Sequence, residues 1–510
     1  MEQNLHGLSN DKALNYLAQL IDSAHDQQSS EKTTLAFGEI AKLEDRELAP
    51  AEMALLYYFR SNAWANRIQE QGDQHSWNWE QTALQNQLLE LRRALSHEGF
   101  YQLDPIRRCQ IHTNLGNQLN SIGRFIEAIA SWDSALAILP NFAMAHINRA
   151  LGFESYSRCV YDPGHQAILA LSAYDAYECA LQPEALFESE ENKRLKPKFI
   201  KYQEVIAQLI DVERVRQLLA DQEQPLTGTR KEKQYKRWTL KNRLYVNPVN
   251  DACDLPIASQ DVMTLPSIME PFESSSYMPP PIVGFYNQLK QEYVSARFLL
   301  YQALHSDATH YSDTNVLLYN TLDYPSYGLS VEKLRAAFRM AYSLFDKIAF
   351  GLNRYLVLGH EVHRVSFRSL WYMPKKKTIH SKLENRENWP LRGLYWLSKD
   401  LHDPEFQLST EPEAAELATI RNHLEHKYLQ IHEEFTNSMS GRQIRDTDWG
   451  HHFIRSDFEA KTLRLLQLGR AALIYFCAAI HREEQMNQGG QEGKLTVPMS
   501  LDQWEDEWKF

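Results

Sequence analysis

The chain has 510 residues, 43% hydrophobic and 24% charged, which fits two or three globular folding units. Glycine and proline number 20 each and long windows contain neither, which excludes a turn-rich β fold and predicts an all-α protein. The formal net charge of −12 excludes a surface that binds nucleic acid all round, so any RNA contact must come from local basic patches. Cys109, Cys159, Cys179, Cys253 and Cys477 are scattered without a CxxC pair and read as free thiols of a reducing compartment, with no disulfide or zinc role. The N-terminus lacks the basic and apolar regions of a signal peptide. The most apolar helical stretch, Leu463 to Ile480, carries Arg464, Gln467 and Arg470, which reads as too polar to span a bilayer. A cytoplasmic protein without membrane contact is expected.

From Lys12 to about Leu219 amphipathic helical windows follow one another, and residues 1–220 read as one domain. In its clearest stretch Leu115 and Gly116 are followed by Leu119, Ala128, Trp132, Ala135 and Pro140. Gly116 and Ala128 are small where two helices would cross closely, Trp132 would fill the gap beside them, and Pro140 would end the second helix. This pattern resembles the tetratricopeptide (TPR) repeat. A second copy opens at Ala143 to Phe153 and closes with Ala173, Tyr177 and Ala180, after an insertion carrying Asp162, Pro163 and Gly164. A degenerate earlier copy pairs Tyr58, Asn62 and Ala63 with Leu91 and Ala94. The resemblance implies a concave surface for a protein partner; a rigid spacer is the alternative.

Residues 221–281 change character and read as a basic, aromatic connector with a short strand at Arg243 to Val246, then a proline-rich arm ending in MPPPIV. Arg230, Lys231, Lys233, Lys236, Arg237, Lys241 and Arg243 alternate with Tyr235, Trp238 and Tyr245. Such a strip suits an RNA backbone with stacked bases, and Arg237 and Trp238 are its candidate contacts. Packing against the acidic rest of the chain is the alternative.

Helices resume over residues 282–490. One runs from Val283 to His305, with Leu289, Tyr293, Ala296 and Leu300 in a stripe. A second runs from Ser330 to Leu358 and opens on a capping box at Ser330 to Lys333. An irregular basic segment follows from His363 to Arg386, where Arg368, Lys375, Lys376 and Lys377 are RNA-binding candidates. A third helix is expected from Glu411 to about Tyr428 and a fourth from Asp457 to Glu484. Residues 491–510 form an acidic, aromatic tail.

The third helix ends in Arg421, Asn422, His426 and Tyr428, spaced R-N-x3-H-x-Y. An arginine followed by a histidine within six residues is not itself distinctive: Arg92 with His97, Arg107 with His112 and Arg354 with His360 satisfy it too. Asn422, Tyr428 and the position on the third long helix single out Arg421. With these additions, residues from about Val283 to Glu484 resemble the HEPN superfamily, many of whose members are metal-independent endoribonucleases of toxin and antiphage systems.

The resemblance implies a four- or five-helix bundle, a homodimer, and an RNA-cleaving site built from Arg421, Asn422 and His426 without metal or cofactor. Histidine can move protons near neutral pH, whereas arginine stays charged and can only hold a phosphate. Arg421 and His426 lie five residues apart, about 140° round a helix, so one helix presents them poorly to one target. In the family a two-fold dimer brings two such helices together. Tyr428 matches a tyrosine that some toxin members carry and that a partner enzyme modifies. A non-catalytic adaptor, with Arg421 paired to Glu425 on a surface helix, is the alternative. His423 and His432 are expected on exposed helix positions, and His451 and His452 in a loop near the site, where a metal pair and substrate contacts are the alternatives.

Overall fold

The computed structural model describes residues 8–72, 76–222, 225–270, 278–306, 308–321, 324–374, 376–402, 417, 420, 424, 428–433, 450–488 and 499–509. The fold is all-α, with one small pair of strands among the described residues. The first helices are α1 (Asn10–Asp26), α2 (Ser30–Glu44), α3 (Pro50–Glu70), α4 (Thr82–Ser96), α5 (Pro105–Ser121), α6 (Phe125–Ile138), α7 (Ala143–Cys159) and α8 (Pro163–Leu181). Then come α9 (Glu190–Arg194), α10 (Lys196–Leu209), α11 (Val212–Asp221), α12 (Arg230–Lys241) and α13 (Val249–Ala252). The C-terminal part contains α14 (Pro281–Leu304), α15 (Leu329–Tyr355), α16 (Ser381–Glu384), α17 (Trp389–His402), β1 (Tyr428–His432), β2 (Gly450–Ile454) and α18 (Arg455–Gln488).

Up to α8 the chain folds into successive helical pairs: α3 on α4, α5 on α6, α7 on α8. Trp132 of α6 is the wedge between two of them, fully buried over Gly116 of α5 and Gly152 of α7. A Cβ on Gly116 would stand 2.5 Å from the indole nitrogen, so only glycine admits the ring this closely. That nitrogen donates to Asn117 Oδ1 at 3.1 Å. The expected insertion at Asp162 to Gly164 is instead a helix start: Asp162 caps α8 by accepting from the His165 amide at 2.8 Å, and Pro163 is its first residue.

The connector differs from expectation in two ways. Its basic part is the helix α12, opened by a Thr229–Glu232 capping box. Arg243 to Val246 form no strand; Arg243 adopts φ +52°, and Leu244 and Val246 are buried in the main core. Expecting a strand there misread apolar burial as sheet pairing. α15 likewise starts at Leu329 rather than on a capping box, with its first amide donating to Asp313 Oδ2 at 2.9 Å.

One continuous cluster of buried side chains runs from Leu17 and Ile40 through Trp132 and Trp396 to Ile480. The N-terminal helices and the C-terminal part therefore share a core across a tight seam. Gly123 (φ +86°) turns between α5 and α6 directly against α17, where a Cβ would stand 2.9 Å from the Gly393 nitrogen. Trp389 donates to the Asn120 carbonyl at 2.8 Å and stacks on Phe125, while Trp79 donates to the Leu383 carbonyl at 2.8 Å. Asp400 of α17 receives Arg92 in a two-pronged pair at 2.7 and 2.8 Å and also pairs with Arg124.

α18 packs on α14, α15 and α17. An 18-residue window in it reaches mean hydropathy 1.5, enough by length and composition to cross a membrane, so its polar residues do not make it too polar for that. However, 83% of that window is buried inside the fold. Arg470, one of those polar residues, is buried on Asp251 at 2.7 and 3.0 Å.

Candidate functional site

The polypeptide leading into the motif is anchored by α15. Leu417, Ile420 and Leu424 are helical and buried, three and four residues apart, as the apolar stripe of a helix requires. Arg339 donates to the Leu424 carbonyl at 2.6 Å, and Arg335, one turn earlier on α15, donates to the Leu429 carbonyl at 2.7 Å. Two arginines of one helix thus grip the chain on either side of His426. Arg421, Asn422 and His426 themselves lie outside the described residues, as does Lys375.

The helix expected to reach Tyr428 has given way to strand by that residue. β1 and β2 pair in parallel, with Tyr428 opposite Gly450 and His432 opposite Ile454. The sequence Tyr-Leu-Gln-Ile-His suits a strand because Leu429 and Ile431 alternate with polar residues and both are buried. Tyr428 is 43% exposed, lies over Gly450, and its hydroxyl accepts from Gln430 Nε2 at 2.6 Å.

His423 lies outside the described residues, and His432, His451 and His452 fall differently from expectation. His432 is fully buried, and its Nε2 lies 3.0 Å from His452 Nδ1, the rings stacked 5.2 Å apart. One ring donates and the other accepts. His451 and His452 are in β2 rather than a loop, and successive strand residues face opposite ways, so the two do not converge on one ion. Among the described residues no group of three or more His, Cys, Asp or Glu could hold a metal.

The end of β1 is tied down by charge. Glu433 accepts from Ser326 Oγ at 3.1 Å and from Arg455 Nη1 at 3.0 Å, and Ser326 donates its amide to the Ile431 carbonyl at 2.7 Å. Burial opposes the charge on Arg455, but Glu459 and Glu433 hold its pKa above the ordinary value. Arg455 also donates to the Ala303 carbonyl of α14 at 3.1 Å, which joins the strand pair to the end of that helix.

A cleft of about 380 Å³ opens along α15, lined by Arg339, Tyr342, Ser343, Asp346 and Lys347 with Val362 and Val365 opposite. It begins at the arginine that holds Leu424 and ends where Asp346 accepts the Phe367 amide at 2.9 Å. Arg368 is exposed beside that end. Lys376 and Lys377 are exposed at the tip of a hairpin closed by Met373 and Thr378. Arg237 is exposed on α12, and Trp238 is half-buried. Arg335, Arg339 and Glu433 were not singled out from sequence. Two arginines four apart in a long helix were the available signal, but that spacing is common on solvated faces.

No curated protein and no solved structure matches the chain. Residues 274–483 match the family described as LA2681-like HEPN. That span runs from α14 through α15, α17 and both strands into α18 and includes Arg421 and His426. The match supports a domain of the HEPN superfamily in the C-terminal part of the chain.

Proposed function

We propose that this protein is a metal-independent endoribonuclease of the HEPN type, with Arg421, Asn422 and His426 as its working residues. The observation that carries the reading is the spacing R-N-x3-H-x-Y inside the segment that matches a HEPN family. In the reaction, the 2′-oxygen of a ribose attacks the adjacent phosphorus and the bond to the departing 5′-oxygen breaks. The 2′-hydroxyl gives up a proton and the 5′-oxygen gains one, leaving a 2′,3′-cyclic phosphate and a 5′-hydroxyl. His426 moves a proton, and Arg421 holds the phosphate and the charge that develops on it. Asn422, four residues before His426, orients the ring or a phosphate oxygen.

The site is composite in a homodimer, because residues five apart would stand about 140° apart round a helix. Lys376, Lys377 and Arg368 draw RNA toward an otherwise acidic chain. The N-terminal helical pairs act as TPR-like repeats that bind a regulating protein, and the whole serves as a toxin or antiphage effector.

The test is end chemistry. RNA incubated with the full-length protein in EDTA should yield fragments whose 5′ ends accept label from a kinase without prior phosphatase. Fragments with 5′-phosphates, or cleavage only with added divalent metal, would overturn the mechanism.

A further inference from the structure

We infer that the face shared by α12 and the C-terminal half of α14 is a platform for single-stranded RNA, leading toward the end of β1. The inference rests on the reading of the protein as acting on RNA. α12 carries Arg230, Lys231, Lys233, Lys236, Arg237 and Lys241 against one acid, Glu232, which is engaged at its own N-cap. Packing against the acidic rest of the chain would pair these cations. Among the described residues, Arg230, Lys231, Lys233, Arg237 and Lys241 form no ion pair, and Lys236 only donates to the Thr227 carbonyl. Arg243, just beyond the helix, does pair, with Asp133 at 2.5 Å. The helix itself keeps its charge facing solvent in a chain whose net charge is −12.

Beside these cations lies a cluster of aromatic rings, packed mostly edge-on or tilted. Tyr235 of α12 meets Phe298 and Tyr301 of α14 at 5.3 and 5.0 Å, Trp238 meets Tyr301 at 5.4 Å, and His305 lies 4.2 Å from Tyr301. Phe298 is 42% exposed and His305 is exposed, so ring surface is open at both ends of the cluster. The cluster is held from beneath. Arg297, buried, donates to the Tyr235 hydroxyl at 2.8 Å while gripping Asp261 at 2.9 and 2.8 Å. Fixed rings lose little freedom when a base stacks on them, and cations around them suit the phosphates between bases. Two residues before His305, the Ala303 carbonyl takes the bond from Arg455, which holds Glu433 at the end of β1. A strand bound on the platform therefore runs onto the strand pair that follows the motif.

The probe is a fluorescent twelve-nucleotide uridine-rich RNA, with the same sequence annealed as a duplex for comparison. The protein is the full chain carrying His426→Ala, so that the probe is not consumed, and binding is read by anisotropy over a salt series. Arg237→Glu with Lys241→Glu should weaken single-strand binding at least tenfold and lower the salt slope by about one to two. Phe298→Ala should weaken it by about tenfold with the slope unchanged. Absence of binding, unchanged affinity in both variants, or equal affinity for the duplex would overturn the inference. Cleavage by the wild-type chain is scored separately. Binding that the variants lose, without any cleavage, keeps this inference and removes the nuclease reading. Cleavage with undiminished binding in the variants does the reverse.

Discussion

Asp251→Ala should cost the whole protein, not one part of it, about 3–5 kcal/mol. Asp251 and Arg470 are each 1% exposed and meet through two hydrogen bonds of 2.7 and 3.0 Å. Arg470 also donates to the Asn247 carbonyl at 2.7 Å, and Tyr156 of α7 donates to Asp251 at 3.0 Å. Burial opposes the charge on Arg470, but Asp251 holds its pKa above the ordinary value. Removing the carboxylate strands a buried guanidinium, which typically costs about 3–5 kcal/mol. Replacing both partners by Leu and Met should cost less than the single change, because no charge is then left unpaired. Urea unfolding followed by far-UV circular dichroism and by tryptophan fluorescence measures both. Because the pair joins α18 to the connector and α7, the two signals should shift to lower urea together. A loss below about 1 kcal/mol, or one signal retaining the wild-type midpoint, would refute the shared core.

Trp132→Ala should destabilise the protein by about 3–5 kcal/mol, since the ring is buried against Gly116 and Gly152; chemical denaturation reads it, and a loss under 1 kcal/mol would contradict the wedge. His112 packs edge-on against Phe100, and burial, then Arg108, lowers its pKa to about 4. Its folded pKa lies below the unfolded value near 6.5, so its contribution is intact above pH 6.5 and is lost as pH falls toward 4, up to about 3 kcal/mol. Stability measured at steps across that window should fall more steeply in the wild type than in His112→Gln. Lys376→Ala with Lys377→Ala should weaken RNA binding and lower its salt slope by one to two, as read in a filter-binding salt series; an unchanged slope would remove the hairpin tip from the RNA path.

Where function of a residue is local, the sequence was readable. Gly116 and Trp132 declare a close helix crossing because a small residue and a large one occur at fixed spacing, and they meet as expected. α14 follows from its apolar stripe, and both α14 and α15 lie within a few residues of their expected ends. α17 was not recognised because it has no solvated face: Arg392, Lys399 and Asp400 are buried, and Asp400's partners Arg92 and Arg124 lie far back in the chain. The same distance hid the seam, since nothing near Trp389 says that Phe125 will stack on it. Tyr428 and His432 read as the end and continuation of the helix expected from Glu411. Their alternation with Leu429 and Ile431 was the competing signal, and pairing with β2 decided in its favour. Arg421, Asn422 and His426 rest on spacing and on the family match alone.

The central claim is that one histidine and one arginine cut RNA without metal. Single-turnover cleavage of a labelled RNA by the full chain in EDTA, wild type beside His426→Ala and Arg421→Ala, tests it most directly. Each substitution should slow cleavage by at least about 10²-fold, with the melting temperature of each variant close to wild type. Cleavage by His426→Ala at the wild-type rate, or its complete loss from the wild type in EDTA, would contradict the account.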